Sequence, residues 1–499
     1  MSECVLCRYD IAVDITDFPA KPAQVFGRSS EWGRLAQFVD ATTAGSRLAV
    51  VYGRRRQGKT LLLQELAVAT GGFYWEASLQ SRAQNLESLG QAWSLYRKAP
   101  GPLRFQSWDE ALTSLLAAGA VPGGIFLDEI GYLIATAPEF PSLLQRYFGP
   151  QAERKGTARV VLCGSIYSQM TRLLAADQPL RGRHTMVLDV GPFDYRIAAD
   201  YWGLTDNPDA AFRMHALVGG TPAYLRYCGG IRPSRGNVDE WATRYLLDVS
   251  SPLYHEGEVL VAEDPTLGDK ALYWAVLSAV ADGNSRTGDI ANAVGRPPSS
   301  LAQSMAVLVA GGWIEQRPDP FHAKASTVML TEPILRTHRV LISSERQRLS
   351  MGQAQAVWDD GQQRMSRLIL GPHLEWMAND WAIRHATAAT MGGSIRSTGS
   401  GILRAGGRSW QVDIVGVEPD RNDVALVTAI GEVKAEREPM GVAQLTRLDE
   451  IAAALGRRAA PVVRRLLVAR SGFTAELRRS ARQRGDVELV DLDRLYGGS

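Results

Sequence analysis

No stretch of about 18 uncharged apolar residues occurs anywhere in the 499-residue chain, so no membrane-spanning helix is expected. The opening residues, MSECVLCRYD, lack the basic cluster and apolar run of a secretory signal, and a cytoplasmic location is expected. Cysteine is scarce. Cys4, Cys7, Cys163 and Cys228 are too few to form a disulfide framework in a chain of this length. Cys4-x-x-Cys7 has no second Cys or His pair nearby to complete a zinc pattern and reads as a chance pair. Excess charge is missing too. The 55 Lys and Arg stand against 53 Asp and Glu, a net +2, so the bulk field neither demands nor excludes a polyanionic partner. Apolar content, by contrast, is ample at 45%, enough for several packed cores, and the length predicts two to four domains.

The chain is organised around Gly53-Arg54-Arg55-Arg56-Gln57-Gly58-Lys59-Thr60. An apolar run, Leu48 to Tyr52, precedes it and Leu61-Leu62-Leu63 follows, which reads as strand, tight loop, helix. The spacing Gly-x4-Gly-Lys-Thr is the phosphate-loop pattern. Gly53 and Gly58 let backbone N–H groups turn toward phosphate oxygens, and the helix start adds its positive dipole end. Lys59 is placed for the β- and γ-phosphates and the Thr60 hydroxyl for Mg²⁺. Arg54, Arg55 and Arg56 are not required by the pattern and are open to solvent or to a nucleic acid.

About 70 residues later, Gly124-Ile125-Phe126-Leu127-Asp128-Glu129 runs from apolar to acidic. This is a Walker B strand, in which Asp128 holds the hydrated Mg²⁺ and Glu129 orients and deprotonates water. Another buried strand, Arg159 to Gly164, ends at Ser165, a candidate γ-phosphate sensor or the cap of the helix that follows. Leu180-Arg181-Gly182-Arg183 supplies either surface arginines or one that reaches a neighbouring copy's nucleotide, which would imply a homo-oligomer. With Phe73-Tyr74-Trp75 and Val187 to Val190 as further strands, residues 22–192 are expected to form a doubly wound, parallel α/β domain after an N-terminal tail, 1–21. In order, FGRSSEW, YGRRRQGKT, IFLDEI, VVLCGS and PLRGR resemble the archaeal-type ATPase family, an AAA+/STAND-like branch of P-loop ATPases. The resemblance implies ATP as the nucleotide.

Residues 193–255 read as a helical lid, and their GG-x-P-x-x-L stretch, Gly219 to Leu225, also resembles that family. Residues 256–345 carry the pattern of a winged helix-turn-helix: three short helices, then strands Trp313–Gln316 and Ser326–Leu330 as the wing. Its third helix has no Lys or Arg after Arg296, so DNA contact and protein contact are both open. Residues 346–365 read as a polar linker helix, and residues 366–499 as a second α/β domain. There Asp413 lies on one strand, and Ile430-Gly431-Glu432-Val433-Lys434 puts Glu432 and Lys434 on one face of the next. Two carboxylates suit a hard divalent ion, and a lysine beside them suits phosphate charge. Glu375 on the preceding helix is a further candidate ligand. Asp413, Glu432 and Lys434 match the motif of the PD-(D/E)xK nuclease superfamily, with Val412 where Pro is usual, and the segment resembles the nuclease-like domain of unknown function that often follows archaeal-type ATPases. The expectation is an ATP- and Mg²⁺-binding protein acting on DNA, with a STAND-like switch that binds without cutting as the alternative.

Overall fold

Residues 19–40, 45–117, 121–149, 156–165, 167–264, 267–419 and 425–498 are described by the computed structural model. Cys4, Cys7 and most of the tail 1–21 lie outside the described residues, as does the turn at 420–424. The chain divides into two units, Met1–Pro192 and Phe193–Ser499.

The first unit holds five strands, the three inner ones buried along most of their length because helices cover both faces, and the two edge strands only in part. They are β1 (Arg47–Tyr52), β2 (Phe73–Glu76), β3 (Ile125–Asp128), β4 (Arg159–Gly164) and β5 (Met186–Asp189). All pair in parallel, in the order β2-β3-β4-β1-β5. Trp75, Trp93, Trp108 and Phe140 fill one face, and Trp32, Leu35, Leu62, Leu66 and Phe126 the other. The chain leaves β1 for the far edge and returns on β1's other side as β5. Connections therefore diverge beside β1, and a crevice opens at the carboxyl ends of the strands, where α/β sheets take ligands.

The second unit begins with helices that include Tyr195–Tyr201, Pro208–Val218 and Pro252–Ala262. Three more, Lys270–Ala281, Thr287–Val294 and Pro298–Ala310, precede an antiparallel hairpin of β6 (Ile314–Asp319) and β7 (His322–Leu330). A mixed sheet follows, in the order β12-β11-β10-β9-β8. Its strands are β8 (Ser397–Ala405), β9 (Arg408–Pro419), β10 (Ala425–Lys434), β11 (Ala459–Ala469) and β12 (Val487–Val490). β8, β9 and β10 are antiparallel, whereas β10, β11 and β12 are parallel.

Two features depart from the sequence expectation. First, the lid, the three-helix segment and the C-terminal sheet share a single core: Phe212, Trp241, Val276, Leu308, Trp381, Ile414 and Leu495 belong to one cluster. The segment 346–365 is helical, but Val357, Trp358 and Met365 bury into that core, so it is not a free spacer. Second, the wing strands are longer than their polar sequence implies, because the hairpin tip is docked on β8. The buried Asp319 accepts from the Phe321 N–H (2.9 Å) and the Ile402 N–H (3.4 Å) and pairs with Arg286. The Phe321 ring joins the core of the mixed sheet beside Leu403 and Val412. A Cβ at Gly401 would lie 2.6 Å from Asp319 Oδ1 and 2.9 Å from the Phe321 ring, so only glycine allows this approach. The tip thus covers part of an edge strand that would otherwise be open to pairing.

A buried histidine pair ties the lid helix to the helix Gly371–Arg384. His215 Nδ1 lies 2.8 Å from His373 Nε2, with the Trp376 ring stacked against both. Burial lowers the His215 pKa to about 4, against Asp194, which raises it. Burial, then His215 and Arg336, holds His373 well below its ordinary value. Both rings are neutral when folded, whereas the unfolded chain takes up protons near pH 6.5. Stability from the pair is therefore present above about pH 6.5 and lost as pH falls, at about 1.4 kcal/mol per pH unit for each ring. Between pH 6.5 and 5 the thermal midpoint of the wild type should fall further than that of His373→Gln, which cannot take the proton; parallel melting curves would refute the assignment.

Candidate functional site

In the first unit the site is built at the carboxyl ends of β1, β3 and β4. Gly53 leaves β1 at φ +153°, where a Cβ would stand 2.1 Å from the Val190 carbonyl oxygen; the loop can pass only as glycine. Gly58 is left-handed at φ 80° and opens the helix Lys59–Thr70. Between them Arg56 is also left-handed, at φ 69°, a conformation that costs a non-glycine residue energy. The buried Lys59 donates from Nζ to the Arg54 carbonyl, 2.8 Å away. Burial lowers its pKa, against the opposing pull of Cys163, Glu129 and Asp128.

Asp128 is the hub. Its Oδ2 accepts from the Thr60 hydroxyl at 2.8 Å and from the Tyr74 hydroxyl at 3.0 Å, and its Oδ1 accepts from the Glu129 N–H at 2.8 Å. Glu129 itself is left-handed, φ 50°, ψ 40°, and turns its carboxylate toward β4, where the Ser165 hydroxyl donates to Oε2 at 2.9 Å. Ser165 therefore addresses Glu129. Arg55 donates to the Tyr132 hydroxyl at 2.6 Å, and the Gln57 side chain is buried. Arg181 and Arg183 are not brought to this site. They precede the amino end of β5, whereas the loop leaves the carboxyl end of β1, and parallel pairing carries those ends apart.

Two contributors carry no motif that sequence spacing singles out. Tyr74 reads from sequence only as part of a buried strand. Arg28 stands in the FGRSSEW stretch, whose pattern gives it no role. Its buried guanidinium pairs with Glu31 and donates to the Gln57 carbonyl (3.0 Å) and the Gly191 carbonyl (2.7 Å), tying the phosphate loop to the end of β5.

In the second unit, β9 and β10 pair with Gly431 opposite Ile414. The next position puts Glu432 opposite Asp413, and opposite residues of an antiparallel pair share a face. Asp413 Oδ2 accepts from the Val433 N–H at 2.9 Å. One Glu432 oxygen pairs with Lys434 Nζ at 3.0 Å; the other pairs with Arg447, from the helix Val442–Ala454. Nothing in the sequence spacing of Arg447 ties that helix position to the strands, so only the fold brings it here. Glu375, on the helix Gly371–Arg384, feels this cluster: burial raises its pKa, and Asp413 adds to the rise. Asp413 is likewise raised by burial and then by Glu432. Burial disfavours the charge on Lys434, but Glu432 and Asp413 outweigh it and hold its pKa above the ordinary value. Among the described residues no group of three or more His, Cys, Asp or Glu side chains is gathered to hold a metal ion. The oxygen donors suit Mg²⁺ in kind, but both oxygens of Glu432 already face cations.

If Arg28 shapes the loop, Arg28→Lys, which keeps charge but loses the fork, should weaken ATP binding about tenfold, the worth of one charged hydrogen bond. Calorimetric titration checks this; unchanged affinity would leave Arg28 a purely structural arginine.

No protein-family model matches the chain. The uncharacterized protein MJECL04 of Methanocaldococcus jannaschii is 27% identical over 276 residues, which is 54% of this chain and 57% of that protein. The chain thus spans little more than half of that relative's length. Among solved structures, a Walker-type ATPase of Pyrococcus abyssi is similar at 19% identity and a TM-score of 0.48, over 65% of this chain and 98% of that one. The Aeropyrum pernix ORC2 protein is similar at 14% identity and a TM-score of 0.40, over 70% and 97%. Among the described residues no helix is long and apolar enough to cross a membrane. On the strand order and the phosphate-loop geometry, the first unit has the fold of a P-loop ATPase.

Proposed function

We propose that the chain binds and hydrolyses ATP in its first unit and acts on DNA through its second, with a Mg²⁺-dependent nuclease-like site at Asp413, Glu432 and Lys434. The observation that carries the first half is the meeting of Lys59, Thr60, Asp128, Glu129 and Ser165 at the ends of three neighbouring strands. In this reading the loop Gly53 to Gly58 wraps the phosphates. Lys59 exchanges the Arg54 carbonyl for phosphate oxygens, and Thr60 and Asp128 hold the ion. Bound Mg²⁺ supplies positive charge against that developing on the transferred group. Glu129 takes the proton of the attacking water, and Ser165 holds that carboxylate in place. Arg181 or Arg183 would serve a neighbouring copy in a homo-oligomer.

For the second half, the placement of Asp413 opposite Glu432, with Lys434 beside them, supports the nuclease-like reading. Asp413 and Glu432, with Glu375 behind them, would hold the ion, and Lys434 would meet the phosphate. A switch that binds without cutting is favoured by one observation: both Glu432 oxygens are engaged by cations. The docked hairpin tip also limits how a winged helix could use its wing on DNA.

Lys59→Ala should abolish tight ATP binding, and Glu129→Gln should keep binding while slowing phosphate release about 10²–10⁴-fold. Turnover by Glu129→Gln at the wild-type rate would remove it as the base. With linear and circular DNA and Mg²⁺, with and without ATP, Asp413→Ala and Lys434→Ala should lose cleavage and keep ATP hydrolysis. A wild type that cuts under no condition would leave the switch reading standing.

A further inference from the structure

We propose that Arg447 is a gate on the Asp413–Glu432 pair: in the protein without substrate its guanidinium stands where a divalent cation would bind, and a phosphodiester must draw it away first. Polyanion then binds before metal. The proposal rests on the nuclease-like reading of the second unit and goes beyond it, because it assigns an order of binding and a residue outside the Asp, Glu-x-Lys set.

Three observations carry it. Glu432 is nearly enclosed, with 6% of its side chain exposed, and both of its oxygens are in ion pairs. Asp413 and Glu432 contribute two negative charges, and Lys434 and Arg447 return two positive ones. A divalent ion entering the present arrangement would meet two fixed cations and little uncompensated carboxylate charge, so one of them has to leave.

The two cations differ in their freedom to do so. Lys434 sits on β10 two residues from Glu432, so the strand itself holds it on that face. Arg447 reaches across from the helix Val442–Ala454 on its own side chain, and the two cations are about equally exposed, so the strand tether and not exposure separates them. Its second nitrogen donates to the Gln411 carbonyl at 2.8 Å, a backbone oxygen near the amino end of β9. The guanidinium is therefore held by two contacts, and rotation about its own long side chain releases both. A phosphate group is the partner best suited to take it, because the planar fork binds two phosphate oxygens at once. Once Arg447 has moved onto a phosphate, Glu432 has an oxygen free beside Asp413. By linkage, polyanion and cation then raise each other's affinity by the same factor, and that coupling disappears with the guanidinium.

The test is calorimetric titration of Ca²⁺ into the full chain, with Asp413→Ala as the reference for ions bound elsewhere. Without DNA, the wild type should match Asp413→Ala, and Arg447→Gln should bind one further ion at least tenfold more tightly. Short duplex DNA should bring the wild type up to the affinity of Arg447→Gln and leave that variant nearly unchanged. Arg447→Lys, which keeps the charge but not the fork, should respond to DNA less than the wild type; it also serves if Arg447→Gln melts early. If wild type and Arg447→Gln both bind the further ion equally without DNA, the gate is wrong and the metal site stands. If neither binds more than Asp413→Ala, with or without DNA, the nuclease-like reading fails and the gate with it.

Discussion

The Asp128 carboxylate accepts hydrogen bonds from three directions, and the working end of the first unit is arranged around it. Thr60 comes from the helix after the phosphate loop, Tyr74 from β2, and the Glu129 N–H from its own chain. A buried carboxylate needs such partners, since an unpaired charge there would be costly. Satisfying them brings β2, β3 and the loop helix into register and turns Glu129 into its left-handed conformation, toward Ser165. The strain of that left-handed turn is stored at Glu129 itself, beside the Asp128 hub.

Arg28 adds a constraint from outside the motif. By donating to the Gln57 carbonyl within the loop and to the Gly191 carbonyl just past β5, it ties the loop's backbone to the end of the neighbouring strand. Gly53 completes the arrangement, since the backbone runs so near Val190 that no side chain fits. Loop, N-terminal segment and the end of β5 are thereby linked.

The second unit shows a different economy. Lid helices, three-helix segment, hairpin and mixed sheet are fused by one core, and the hairpin tip is fastened to β8 by Asp319 and Phe321. Elements that read as separate modules are in this chain one body. The carboxylates at the β9–β10 pair are neutralised by Lys434 and Arg447, so folding does not leave like charges facing each other across two strands.

Much of this was legible in the sequence. The inner strands of the first unit announce themselves as apolar runs because both faces of the sheet's centre are buried. Gly53, Gly58, Lys59 and Thr60 are readable because backbone wrapping and phosphate charge demand those residue types at that spacing. Glu432 and Lys434 share a face by strand periodicity alone. Other features depend on contacts between residues far apart in the chain, which no local spacing records. Arg28 meets Gly191 across 163 positions, and His215 meets His373 across 158. Arg447 reaches Glu432 from a helix whose own pattern shows only a buried stripe. The polar segment 346–365 reads as a spacer because its few apolar residues are thinly spread, and only packing reveals that Trp358 and Met365 are core. Local chemistry wrote the phosphate loop and the carboxylate strand, while the pairing of distant charges and the merging of modules were decided by burial, which acts on surfaces that exist only once the chain has folded.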